Sequence, residues 1–363
     1  MAHRAPIVLI DEYVTGGGLA GQDRPACWAA EGSAMRKTLA AQFAAVKGLR
    51  VIATLDRGLS ELSAPWSSVL VGPGEELSTL TRLASEAAWT LIIAPETAGI
   101  LQDRTGAVER VGARVLGSAS GAIAITANKL YMGLHLEERG IPTPPSRIVN
   151  PAAGLPAQAT YPAVLKPIDG AGSLNTFYVE RLDDLPPAAK AMNQALLQPF
   201  LPGEPMSASF LIDVGGRPWL LGVGRQQITV TGGAFAYCGG TLPVRPPPGF
   251  AAVEAAVASV PGLRGFVGVD FLWDEHSKRL WVLDVNPRPT TSCVGLSALL
   301  PPGWLARSWL EAMEWCSIGL LRRLASRVQS NPAVCFDASG YVRAAISDGT
   351  LSSQRVRPLA QES

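Results

Sequence analysis

Five short runs of β-branched and leucine-rich sequence, residues 7–10, 50–54, 68–71, 90–94 and 113–117, each end at turn residues. Runs of this length and composition are typical of strands buried on both faces. Between the first two, Met35, Leu39, Phe43 and Val46 recur at helical spacing, and residues 75–88 read as a second amphipathic helix. Alternating strands and helices pack as a parallel sheet with helices on both sides. The first third is therefore expected to be a doubly wound α/β domain over residues 1–120.

The pattern changes at residues 128–140, a helix with a glycine stop, followed by the breaker cluster Ile141-Pro-Thr-Pro-Pro145. Residues 161–211 read as a small α+β module: strand 163–166, a Gly-rich turn, strand 176–179, a helix rich in Ala and Leu, and a third strand that runs into a turn at 202–205. Strands with Gly-rich connections follow from 219 to 286, including a long turn at 231–240 and the pair 265–273 and 280–285. Residues 302–328 are expected to be one long helix. The expected division is an N-terminal domain (1–120), a small module with its linking helix (121–197), a second subdomain (198–328) and a weakly patterned tail (329–363) with one strand at 341–345.

Composition excludes several classes of function. With 31 Lys plus Arg against 30 Asp plus Glu, the net charge of +1 gives no polyanion-binding surface. At 47% hydrophobic and 17% charged residues the chain is not disordered. No apolar run approaches the roughly 18 residues of a membrane span, and a cytoplasmic location is expected. Five widely spaced cysteines, odd in number and without C-x-x-C, indicate neither a disulfide framework nor a zinc site. Three scattered histidines, His3, His135 and His276, leave no basis for a histidine triad or histidine metal centre.

The chemistry lies in polar residues that interrupt apolar strands. Asp270, Asp284 and Asn286 do so in Gly268-Val-Asp-Phe-Leu and Leu280-Trp-Val-Leu-Asp-Val-Asn-Pro-Arg288. Period 2 puts Asp284 and Asn286 on one face. Hard oxygen donors without histidine suit Mg²⁺, and a structural Asp–Arg288 ion pair is the alternative. Lys166, one of only six lysines, ends an apolar strand just before the loop Gly170-Ala-Gly172-Ser173, whose small residues let backbone N–H groups approach phosphate. Gly16, Gly18 and Gly21 fit a dinucleotide fingerprint only loosely, because Gln22-Asp-Arg-Pro25 interrupts the helix that would have to follow.

The order Asn128-Lys129, Val164-Leu-Lys166-Pro, Gly170–Ser173, Gln198-Pro-Phe-Leu-Pro-Gly-Glu204, Gly268-Val-Asp270 and Asp284-Val-Asn286-Pro-Arg288 resembles the ATP-grasp superfamily over most of residues 1–290. The resemblance implies an N-terminal α/β domain followed by a two-subdomain ATP-grasp fold. It also implies ATP as the nucleotide and two Mg²⁺ (or Mn²⁺) ions on Asp270, Asp284 and Asn286. By the same resemblance Lys129 and Lys166 touch the phosphates, Gly172 and Ser173 belong to the loop that closes over them, and Gln198, Phe200 and Leu201 hold adenine, with Glu204 the candidate ribose ligand. Two departures stand out: Asp284 replaces the commoner, longer Glu, and Glu204 is displaced relative to many members.

Within the superfamily, Ile7-Val-Leu-Ile-Asp-Glu12, the Gly16–Gly18 stretch, Glu31-Gly-Ser-Ala-Met35 and Ile92-Ile-Ala-Pro-Glu96 resemble the tyramine–glutamate ligase group of methanofuran-type cofactor biosynthesis. That resemblance implies activation of a carboxylate as an acyl phosphate and its coupling to a primary amine. The products would be γ-glutamyltyramine, ADP and phosphate. Arg288 and Arg225 are candidates for the acyl-phosphate oxygens or the substrate carboxylate, and Glu12, Glu31 and Glu96 for substrate contacts and the amine base. Another ATP-grasp ligase or carboxylating enzyme, or an inert nucleotide-binding protein, are the alternatives. The partners expected are small-molecule carboxylate and amine substrates, with homodimer formation left open and neither nucleic acid nor membrane.

Overall fold

A computed structural model describes residues 5–170, 172–314 and 318–345. Cys316 and residues 346–363 of the expected tail lie outside them. The N-terminal part comprises β1 (Ile7–Glu12), α1 (Ala26–Ala44), β2 (Arg50–Asp56), β3 (Ser67–Val71), α2 (Glu76–Glu86), β4 (Trp89–Ile93) and α3 (Ile100–Arg110). Its four strands are parallel in the order β3-β2-β1-β4. Strand alternation sends Val8 and Ile10 to a core shared with Leu39 and Phe43 of α1, and Leu9 to the opposite core with Leu80, Ile92, Leu101 and Val108. Helices therefore cover both faces, as the run pattern predicts. The fifth expected strand, 113–117, is only a single parallel bridge, Thr90 with Val115.

Two helices lead out of this domain, α4 (Ser120–Ala127) and α5 (Lys129–Glu137). Asn128 caps the second, its side chain accepting from the N–H groups of Leu130 and Tyr131 at 3.1 Å, which satisfies two of the orphan donors at a helix start. The remaining strands form one sheet. Its first members are β5 (Arg147–Val149), β6 (Ala163–Lys166) and β7 (Phe177–Val179), followed by the short α6 (Pro187–Lys190) and β8 (Ala195–Pro199). Then come β9 (Glu204–Ile212), β10 (Pro218–Thr231), β11 (Ala234–Val244), α7 (Ala251–Ala258), β12 (Gly265–Asp274) and β13 (Arg279–Asn286). The chain continues through α8 (Ser292–Ala298), α9 (Trp304–Glu314) and α10 (Ile318–Ser330) to β14 (Val334–Asp337) and β15 (Val342–Ala344). The main path runs β13-β12-β9-β10-β11-β7-β6-β8-β5, and β14 pairs with β11.

Two expectations are corrected here. Residues 231–240 are not a long turn: only Gly232 and Gly233 turn the chain, both at positive φ, and β11 pairs with β10 from Ala234 onward. Of the helix expected at 302–328, residues 304–314 and 318–330 are helical, as α9 and α10, and residues 315–317 lie outside the described residues. The tail carries two strands and not one: β15 lies within the expected 341–345, and Val334–Asp337 adds to the large sheet beside Gly239–Leu242. Gly239 and Gly240 serve that approach: a Cβ on Gly239 would lie 2.1 Å from the Phe336 carbonyl oxygen.

Candidate active site

The β12–β13 hairpin sets Asp270 directly opposite Asp284 and Gly268 opposite Asn286, so both acids and the amide share a face. Asn286 donates to Asp270 at 3.1 Å, and Gln226 of β10 donates to the other oxygen of that carboxylate at 2.8 Å. Burial, with the Asp284 charge beside it, pushes the Asp270 carboxyl up to about 6. Lys129, the first residue of α5, reaches across to pair with Asp284. Burial opposes the Lys129 charge, yet Asp284 outweighs it and the ammonium is held above its ordinary range.

Lys166 ends β6 on the other wall. Burial, reinforced by the neighbouring Lys129 charge, lowers its ammonium to about 8. Two lysines and two carboxylates thus converge from α5, β6, β12 and β13. Among the described residues no three His, Cys, Asp or Glu side chains form a metal-holding group. The donor set is two carboxylates with an amide, which fits a hard cation that completes its shell with phosphate oxygens and water.

The two arginines part company. Arg288 lies just past β13, and its Nε and Nη2 both donate to Glu96 at 2.9 Å, while Nη1 donates to the Pro289 carbonyl. Arg225 sits on the opposite face of the sheet from Asp270, in register with Met206 and hence Phe271, and pairs with Glu204 at 2.6 Å near the surface. Neither Arg225 nor Glu204 is brought to the acidic cluster.

The three N-terminal glutamates also separate. Glu12 is buried under α1 and accepts from the N–H groups of Val14 and Thr15 and from the Thr15 hydroxyl. A Cβ on Gly32 would lie 2.4 Å from its Oε1. Glu96 is committed to Arg288. Glu31, on α1, has no hydrogen bond or ion pair among the described residues and faces the Arg288 charge.

On the nucleotide side, Gln198 of β8 is buried and donates to Ser146 Oγ at 2.6 Å. Phe200 stacks edge-on against Tyr178, their centroids 5.0 Å apart, and stays 40% exposed. Leu201 follows it, half-buried, before β9. Gly172 turns at φ 62° and Ser173 continues the same turn. The Gly-rich stretch is tied to the N-terminal domain, because the Ala98 N–H donates to Asp169 at 2.8 Å. A surface cleft lined by Arg147, Asn150 and Pro156 lies beside edge strand β5 and includes none of these residues. Sequence reading missed Gln226 and Tyr237. The alternation of β10 would have placed Gln226 on the Asp270 face, whereas nothing local marks Tyr237.

An α/β domain leading into a sheet that gathers two lysines and two carboxylates is the ATP-grasp arrangement. The chain matches the family description ATP-grasp domain over residues 126–292 and pre ATP-grasp 3 domain over residues 49–123. It belongs to the ATP-grasp superfamily. Among curated relatives it is 28% identical over 211 residues to a tyramine–L-glutamate ligase of Methanocaldococcus fervens, covering 57% of this chain and 61% of that protein. It is also 28% identical over 214 residues to the enzyme of the same name from Methanocaldococcus jannaschii, covering 57% and 58%. The chain thus spans about three fifths of the length of these relatives. In fold it resembles an L-amino acid ligase of Bacillus licheniformis, with a TM-score of 0.67 at 14% identity over 92% of this chain and 80% of that one. ATP-grasp enzymes generally use ATP and Mg²⁺.

Proposed function

We propose that this protein is an ATP-dependent carboxylate–amine ligase that joins L-glutamate, through its γ-carboxyl, to tyramine with release of ADP and phosphate. The observation that carries the reaction type is the convergence of Lys129, Lys166, Asp270, Asp284 and Asn286 on one polar face. The substrates are supported by the names of the relatives.

A carboxylate is a poor electrophile, so the reaction begins with transfer of the γ-phosphoryl group to it, which is a matter of positioning and charge. Lys129 and Lys166 bind the phosphates, Gly172 and Ser173 cover them, and Gln198, Phe200 and Leu201 frame adenine between β8 and β9. Asp270, Asp284 and Asn286 would hold the divalent ions, which when bound neutralise phosphate charge. With Asp284 given to the ions, Lys129 would keep its charge for a phosphate oxygen. Arg288, already gripped by Glu96, fixes the end of β13. The arrangement of the phosphate-binding side predicts ADP as the nucleotide product.

Mass spectrometry after incubation with ATP, Mg²⁺, glutamate and tyramine tests the reading. γ-Glutamyltyramine with ADP is the expected product. AMP release would refute the mechanism, and ADP release with another acid or amine alone would remove the substrate assignment and leave the mechanism.

A further inference from the structure

An amine that attacks an acyl phosphate arrives as an ammonium ion at neutral pH and must lose a proton before its lone pair can react. Any ligase of the proposed kind therefore needs a proton acceptor on the side of the pocket where the amine enters. Three glutamates of the N-terminal domain are candidates, at the end of β1, on α1 and just past β4, and the structure separates them. Glu12 spends its oxygens on the turn at Val14 and Thr15. Glu96 spends both of its own on Arg288. Glu31 keeps both oxygens without a protein donor among the described residues, although most of the side chain is shielded from water.

The surroundings of Glu31 fit an ammonium. Its charged neighbour Arg288 is already neutralised by Glu96, so the three groups together carry one excess negative charge. Burial, with the Glu31 and Asp270 charges adding to it, holds the phenol of Tyr237 on β11 well above its ordinary range. Thr291 donates its hydroxyl to the Tyr237 oxygen at 2.9 Å.

Resting on the ligase reading above, we propose that Glu31 is the catalytic base for the amine. One ammonium proton passes to the Glu31 carboxylate. The freed nitrogen lone pair attacks the acyl carbonyl, the C–N bond forms and the C–O bond to phosphate breaks. The departing phosphate takes that electron pair and the second nitrogen proton. Glu31 then releases its proton to solvent, so the balance is acyl phosphate plus R–NH₃⁺ giving amide, HPO₄²⁻ and H⁺.

The test compares two nucleophiles on one acyl phosphate. Wild-type protein and Glu31→Gln are incubated with ATP, Mg²⁺ and glutamate, and with either tyramine or hydroxylamine, which is largely uncharged at neutral pH and needs no base. Glu31→Gln is expected to lose amide formation by about 10²-fold or more, to keep hydroxamate formation within about threefold of wild type, and to recover part of its amide rate as pH is raised. Glu31→Asp should restore part of the loss. Equal loss with both nucleophiles, at unchanged thermal stability, would overturn the assignment, as would an unchanged tyramine rate. Wild-type protein that gives neither ADP nor hydroxamate would instead overturn the ligase reading itself.

Discussion

The Glu96–Arg288 pair joins the end of β4 in the first domain to the end of β13 in the second, and its strength can be measured. An exposed ion pair is worth about 0–1 kcal/mol, whereas removing one partner of a buried pair costs about 3–5 kcal/mol because the other charge is left stranded. The side chains here are 5% and 11% exposed and are held by two bonds of 2.9 Å, so the buried case applies. Glu96→Gln keeps the shape but strands the guanidinium, which burial disfavours and Glu96 now holds firmly protonated. Arg288→Met strands the carboxylate. Each is expected to cost about 3 kcal/mol or more, and the double variant much less than their sum, giving a coupling of about 2–4 kcal/mol. Urea unfolding of the four proteins without nucleotide measures it. Costs that add to within about 0.5 kcal/mol would show that the pair does not couple the two parts.

Other expectations follow from the same geometry. Asp284→Ala and Asn286→Ala should retain the fold and lose most turnover, and wild-type activity should vanish in EDTA and return with Mg²⁺; full activity in EDTA would rule out the metal site. Lys166→Ala should lower turnover by at least about 10²-fold, and Lys166→Arg should not rescue it, because a planar fork does not replace a compact ammonium; unchanged ATP affinity of Lys166→Ala by calorimetry would contradict the phosphate role. Burial alone would raise the Glu61 carboxyl, but the buried Arg36 guanidinium beside it holds it below its ordinary 4.5. Its stabilisation is therefore present above that value and lost as pH falls through the lower folded one, so the stability gap between wild type and Glu61→Gln should close in acid; a gap independent of pH would refute the pairing. Gly32→Ala places a methyl group 2.4 Å from Glu12 Oε1 and should lower stability by about 1–3 kcal/mol in thermal unfolding.

The features legible in the sequence were those with a short-range cause. Buried parallel strands betray themselves as apolar runs, and β1, β2, β3 and β4 lie within a few residues of their runs. The shared face of Asp284 and Asn286 needs only the two-residue period. The run at 113–117 has the same composition, but it meets only Thr90, and composition does not reveal how many partners a segment will find. Glycine misled at 231–240, because some glycines there make a turn and others admit a neighbouring backbone that comes from far along the chain. The glutamates at 12, 31 and 96 read alike in sequence. They differ only in which donors the fold brings to them, a long-range fact that spacing does not encode.

Because β14 comes from residues 334–337, strand β11, which carries Tyr237, waits for late-made sequence before that part of its edge is covered. During synthesis the Gly239–Leu242 edge emerges well ahead of its partner and leaves a row of open backbone donors and acceptors on a nearly finished sheet. The nascent protein passes through an interval in which its own β14 competes with any other extended segment for that row. Order of manufacture thus bears on yield, and a peptide spanning Val334–Ala344 supplied in trans during refolding is the natural reagent with which to occupy the gap.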